Sequence, residues 1–185
     1  MSSFTRKAIM ESCIRLLENR PVDKITVKDI VEDCQINRNT FYYHFDDLPS
    51  LITEILKEDA EKIIHENVDA NSLWECLESA INFALKHRRS ALHIFHSSNR
   101  IVFEQHLFLI CQHVVNQYVE KVCSEVPVKE DDKRIIIQAY KCECFGQAMN
   151  WMNGDMKEDI ARDMIRLCKL REGATKAMFL RSMEI

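Results

Sequence analysis

Residues 26–51 read TVKDIVEDCQINRNTFYYHFDDLPSL, and this stretch decides the fold. Thr26 is an N-cap residue with Asp29 three positions on, the spacing of a capping box. The helix it starts covers residues 27–34 and offers Ile30, Val31 and Cys34 for burial. Gln35, Ile36 and Asn37 form a three-residue turn, and Asn37 can cap a second short helix over residues 38–45. Two short helices about a tight turn are the helix-turn-helix arrangement, whose second helix enters the DNA major groove. At 3.6 residues per turn, Phe41 and Phe45 share one face of that helix. Arg38, Asn39, Tyr42 and Tyr43 fall on the opposite face, with Thr40 and His44 beside them. Such groups suit nucleic acid: Arg reads guanine O6/N7, Asn reads adenine N6/N7, and Tyr donates to phosphate. No acid occurs between Cys34 and Phe45. The spacing also permits Tyr42 and Tyr43 to pack on a neighbouring helix, apolar body inward and hydroxyl outward.

The surrounding chain is built for helices. Its 185 residues include only 3 Gly and 3 Pro, where average usage gives roughly 22 together. Strands and turns consume those residues and long helices exclude them, so the composition predicts an all-α protein. It argues against nucleotide-binding α/β folds and β-sandwiches. Residues 4–19 carry Ile9, Cys13, Leu16 and Leu17 at the i, i+4, i+7, i+8 spacing of a helical face, closed by Arg20-Pro21. Asp46-Asp47 cap a fourth helix with Pro49 in its first turn, running to about Val68. Longer helices follow near 72–87, 90–97, 101–125, 129–153 and 157–170, with Pro127 and Gly154 separating the last three. The tail, 173–185, holds Met178, Phe179 and Leu180 and reads as one more packed turn.

Charge and cysteine usage limit the function classes. The net charge is −4, so no global basic surface calls for nucleic acid. No apolar run approaches about 18 residues, and residues 1–10 contain no apolar signal-peptide core. No membrane span is expected, and a cytoplasmic location is. The eight cysteines are scattered, mostly at apolar helical positions, and read as reduced thiols. His93 and His96 share a helix face, but no Cys-x-x-Cys or His-Glu-x-x-His accompanies them. No nucleophile has an orienting partner at readable spacing, and no Gly-rich phosphate loop occurs. Neither an enzyme, a metal nor a cofactor is expected.

Residues 5–64 resemble the DNA-binding domain of the tetracycline-repressor (TetR/AcrR) family of bacterial transcriptional regulators. The residues that carry the resemblance are Thr26, Val27, Asp29, Ile30, Val31, Cys34, Ile36, Asn37, Thr40, Tyr42, His44, Phe45 and Leu51. Phe145-Gly146, Trp151-Met152 and Gly154 resemble the end of the penultimate helix in such regulators. Two positions depart from the pattern. Gln35 stands where the family has a turn glycine, so a non-Gly residue is expected at positive φ. Leu48 stands where the family has a phosphate-touching Lys.

The resemblance implies a helix-turn-helix domain over 1–47 and a helical ligand-binding and dimerisation domain over 48–185. It implies that Thr26, Arg38, Asn39, Thr40, Tyr42, Tyr43 and His44 contact a double-stranded DNA operator, Thr26 by holding a phosphate at a helix N-terminus. The last two long helices would pair two subunits through Tyr140, Phe145, Met149, Met152, Ile160, Met164 and Leu167. Phe83, His93, Phe95, Phe103 and Cys111 are the candidate lining of a small-molecule effector pocket. The whole is then a homodimeric, ligand-responsive repressor of a palindromic operator. Residues 1–50 hold 7 Lys/Arg against 8 Asp/Glu, a net of −1. With Leu48, that balance leaves open a co-regulator of the same fold that binds partner proteins with weak or lost DNA affinity.

Overall fold

The structure, a computed structural model, describes residues 2–65 and 73–184. Among them are ten α-helices and no strand. The helices are α1 (Ser2–Leu17), α2 (Val27–Asp33), α3 (Arg38–His44), α4 (Leu48–His65) and α5 (Leu73–Lys86). They continue with α6 (Arg88–Phe95), α7 (Arg100–Cys123), α8 (Glu130–Asn153), α9 (Ile160–Leu170) and α10 (Ala174–Glu184). The all-α expectation holds. Val68, where the fourth helix was expected to end, and the start of the fifth at residue 72 lie outside the described residues.

Contacts group the chain into two compact units, Met1–Glu61 with Lys86–His106, and Lys62–Leu85 with Leu107–Ile185. In the first unit, Ile9, Cys13 and Leu17 of α1 meet Ile30 of α2, Phe41 of α3 and Leu51 and Ile52 of α4 in one core. Burying such side chains contributes roughly 1.5–3 kcal/mol each before entropy is counted. Ser12 Oγ donates to the Ile30 carbonyl at 3.3 Å, and Arg15 reaches Asp33 at 2.6 Å, so α2 is held against α1. Arg6 bridges Glu54 and Glu58, one turn apart on α4. From α6, Ser90 Oγ donates to Glu18 at 2.7 Å and His93 Nδ1–H to the Leu17 carbonyl at 2.6 Å. These two bonds satisfy polar groups at the end of α1.

In the second unit, Val115, Val119, Val126 and Phe179 form one cluster and Cys76 and Val114 another. The buried Thr175 hydroxyl meets both tyrosine hydroxyls, Tyr118 at 2.9 Å and Tyr140 at 2.8 Å. The tail is longer than one turn: α10 buries Thr175, Phe179 and Ser182, an i, i+4, i+7 face, and Ser182 Oγ donates to Asp132 at 2.6 Å. α9 begins at Ile160 rather than residue 157, because Asp159 accepts from the Arg162 amide and caps it there. Gly154 is not the left-handed residue after α8. Asp155 and Met156 take φ of 55° and 52°, while the Met156 amide closes onto the Trp151 carbonyl at 2.9 Å.

A candidate nucleic-acid interface

The turn between α2 and α3 is built from reciprocal caps. The Thr26 amide and hydroxyl both donate to Asp29, at 2.8 and 2.6 Å, and the Asp29 amide donates back to the Thr26 hydroxyl. These bonds, the side-chain one foremost, and Arg20 at 3.1 Å hold the Asp29 carboxyl down at about 2. At the other end of α2, Gln35 takes φ of 54°, as expected for the residue that replaces the glycine. Its amide bonds the Glu32 carbonyl at 3.4 Å, and the Ile36 amide bonds the Val31 carbonyl at 2.9 Å. That is the double closure of a Schellman cap, and Ile36 completes it by packing on the core beside Val31.

The chain then enters α3 through Asn37, whose Oδ1 accepts from both the amide and the hydroxyl of Thr40, at 2.8 and 3.0 Å. Phe41 is fully buried and Phe45 is nearly so, their rings 5.9 Å apart. Two aromatic anchors therefore fix which side of α3 faces out. That side presents Arg38 and Asn39, both exposed, Tyr42 at 55% and Tyr43 at 78% exposure. At those exposures both rings stand largely outside the core, Tyr43 more so than Tyr42. The Tyr43 ring meets the half-buried His44 edge-on, at 5.0 Å, and Tyr42 lies edge-on to Phe41 at 5.4 Å. Arg38 has no ion-pair partner among the described residues. A free guanidinium, an amide and two phenols thus stand on one short, rigidly seated helix. Leu48 packs on the core of the first unit, which explains an apolar residue at a position that could otherwise carry a phosphate-binding cation.

The structure places the remaining expected residues as follows. Thr26 is exposed at the start of α2, with its hydroxyl proton engaged by Asp29. His93, Phe95 and Phe103 belong to the first unit: Phe95 is fully buried and its ring stands 5.8 Å from Phe103. Phe83 and Cys111 belong to the second unit. Of the residues on the last long helices, Met152 is buried, Tyr140 bonds Thr175, and Phe145 stacks edge-on to Phe108 at 5.5 Å. Met149, Ile160, Met164 and Leu167 are half-buried. The outward stripe of α8 is Ile135, Ala139, Cys142 and Gly146, and a Cβ built on Gly146 would have no neighbour within 4 Å. Sequence reading missed this stripe because α8 is apolar on more than one face. The i, i+4, i+7, i+11 spacing was there to find it.

Comparison with known proteins agrees with this geometry. Residues 9–55 match the family model for bacterial regulatory proteins of the tetR family, and residues 71–171 match that for a transcriptional regulator C-terminal region. The chain is 31% identical over 68 residues, 37% of its own length, to the HTH-type dhaKLM operon transcriptional activator DhaS of Lactococcus lactis subsp. lactis (strain IL1403). It is 24% identical over 128 residues, 62% of its length, to the uncharacterized HTH-type transcriptional regulator YxbF of Bacillus subtilis (strain 168). The matches span 36% and 34% of those two relatives, about a third of each. A solved structure of the dihydroxyacetone kinase operon activator DhaS shares the fold, with a TM-score of 0.74 over 90% of this chain and 95% of that one, at 18% identity. No described helix is long and apolar enough to cross a membrane. Capped turn, seated α3 and both family models agree: the chain belongs to the tetR family of bacterial transcriptional regulators.

Proposed function

We propose that this regulator is a cytoplasmic homodimer that reads a palindromic DNA operator with the exposed face of α3. The observation that carries the reading is the pairing of buried Phe41 and Phe45 with exposed Arg38, Asn39, Tyr42 and Tyr43 on one capped helix. Arg38 and Asn39, in the first turn of α3, have the donors for base edges, and the two phenols have them for phosphate. Thr40 and His44, half-buried at the margin of this face, complete it, and Thr26 meets a backbone phosphate from the start of α2. One short helix reads too few bases to be specific, so two copies are needed. Residues 1–47 form the reader and 48–185 the dimerisation and effector-sensing part. The exposed α8 stripe of Ile135, Ala139, Cys142 and Gly146, together with α9, supplies an apolar surface for pairing two copies.

Binding a small-molecule effector changes the separation of the two readers, and it does so only through unequal affinity for the two arrangements. Occlusion of a promoter by the dimer represses. The similarity to a protein titled an operon activator favours a second sign, activation. Leu48 and the acidic balance of residues 1–50 favour a second role, a co-regulator of this fold that binds protein rather than DNA.

The test is selection from a pool of random duplexes with purified protein, followed by sequencing of what is retained. The expected result is an inverted repeat whose half-sites lie about one helical turn, or a multiple, apart. Retention of no sequence at low salt, where phosphate contacts are strongest, favours the co-regulator.

A further inference from the structure

Asn37 is exposed and stands directly before α3, and the direction of its carboxamide is fixed by what it meets. The Thr40 backbone amide lies 2.8 Å from one terminal atom of that side chain. A backbone amide can only donate, so the atom it meets is the carbonyl oxygen, Oδ1. The Thr40 hydroxyl donates to the same oxygen at 3.0 Å. Both lone pairs of Oδ1 are then engaged. The other arm of the carboxamide, Nδ2 with its two N–H donors, meets no acceptor among the described residues. Its direction is therefore set by the cap, and its donors are unspent.

Asn39, two positions on, differs in one respect that matters. It is exposed, and neither end of its carboxamide has a partner among the described residues. Reading adenine bidentately takes an acceptor and a donor together. Asn39 offers both, whereas Asn37 offers only the donor. A donor alone suits an oxygen that itself has no proton, and on DNA the outermost such atoms are those of the phosphates. The Thr40 hydroxyl cannot take that part, because its proton is already given to Asn37. Nor can the start of α4, where Leu48 packs on the core.

We propose that Asn37 is a further DNA-contact residue, which caps α3 through Oδ1 and donates from Nδ2 to a backbone phosphate oxygen. The inference rests on the reading of α3 as the helix that meets DNA. The contact carries no base information, and its part is to set the register of α3, with Arg38 and Asn39 following directly in the chain. Because Asn37 is uncharged, the contact releases no condensed counterion. It therefore adds affinity without steepening the salt dependence, unlike a lysine contact.

The experiment compares full-length wild type, Asn37→Ser, Asn37→Ala and Arg38→Ala in thermal unfolding and in binding to a selected and a scrambled duplex over a range of salt. Serine caps a helix as well as asparagine does but does not reach as far, so Asn37→Ser is expected to melt with wild type while Asn37→Ala melts earlier. Asn37→Ser is nevertheless expected to bind both duplexes about 2- to 10-fold more weakly, with an unchanged slope of log affinity against log salt. Asn37→Asp, which keeps the shape and the cap but has no donor, is expected to lose at least as much, and it carries the test if the serine variant folds poorly. Binding by Asn37→Ser equal to wild type, with only Asn37→Ala impaired, overturns the proposal and reduces Asn37 to a cap. A loss on the selected duplex alone overturns the phosphate assignment in favour of a base contact. Arg38→Ala separates this failure from that of the wider reading: if it loses sequence preference while Asn37→Ser does not change, α3 still reads DNA and only the inference about Asn37 falls. If wild type itself binds neither duplex, both fall together.

Discussion

Phe41 and Tyr43 stand two positions apart on α3, both aromatic, one fully buried and the other 78% exposed. Truncating each to alanine separates the roles assigned to the two faces. Phe41→Ala removes a ring that meets Phe45 at 5.9 Å and Tyr42 at 5.4 Å, and leaves a cavity at the centre of the core of the first unit. Substitutions of that kind cost about 3–5 kcal/mol. For a domain stabilised by roughly 5–15 kcal/mol, the loss is a large fraction of the whole. At about 2–4 °C per kcal/mol, the melting temperature should fall by roughly 6–20 °C. Tyr43→Ala removes little buried surface and places a better helix former in α3, so its effect should stay within about 0.5 kcal/mol. Thermal unfolding followed by far-ultraviolet circular dichroism measures both, with hydrogen exchange of the α1–α4 amides locating the change. Equal destabilisation by the two variants would refute the assignment of the faces, because Tyr43 would then be a packing residue and not part of a reading surface.

Three further outcomes follow from the local chemistry. The Asp29 carboxyl sits at about 2 in the folded chain, below its ordinary value near 3.9, so its contribution is complete above that ordinary value and is lost as pH falls through about 2. In acid titrations of stability, wild type and Asp29→Asn should differ by a constant amount above about pH 5 and converge towards pH 2, whereas a gap that widens in acid contradicts the cap. At Gln35, where φ is 54°, a left-handed conformation costs an L-residue roughly 1–2 kcal/mol while glycine loses about 0.5–1 kcal/mol through its unfolded-state freedom. Urea unfolding should therefore rank Gln35→Gly at or above wild type and Gln35→Val below it, and a valine variant as stable as wild type would remove the positive φ from the account. Thr175→Val takes the shared partner from the Tyr118 and Tyr140 hydroxyls at constant size and should cost about 1–3 kcal/mol, more than Tyr118→Phe by the same unfolding assay.

The head of the molecule was legible because its signals are local. Thr26 with Asp29 and Asn37 with Thr40 are caps set by residues three apart, and the opposed faces of α3 follow from helical period alone. The positive φ at Gln35 was legible from its place in the turn. The second unit was less so, because its helices are apolar on several faces and period does not say which neighbour each face meets. Tyr140 and Phe145 turn to partners in their own chain, Thr175 and Phe108, while the outward stripe carries the smaller Ala139 and Gly146. The residues of 83–111 are grouped by composition, yet Phe103 packs on the core of α1–α4 side chains with Phe95 edge-on to it, and Phe83 and Cys111 lie in the other unit.

The central claim is that the exposed face of α3 reads DNA sequence. Its most direct test is the affinity of wild type and Arg38→Ala for a duplex recovered by selection, each measured against a scrambled duplex at the same salt concentration. An Arg that reads a base edge is worth about 1–3 kcal/mol there, so the variant should bind the selected duplex roughly 5- to 150-fold more weakly and the scrambled one almost unchanged. Equal losses on both duplexes would reduce Arg38 to a phosphate contact, and no loss on either would contradict the assignment of α3 as the reading helix.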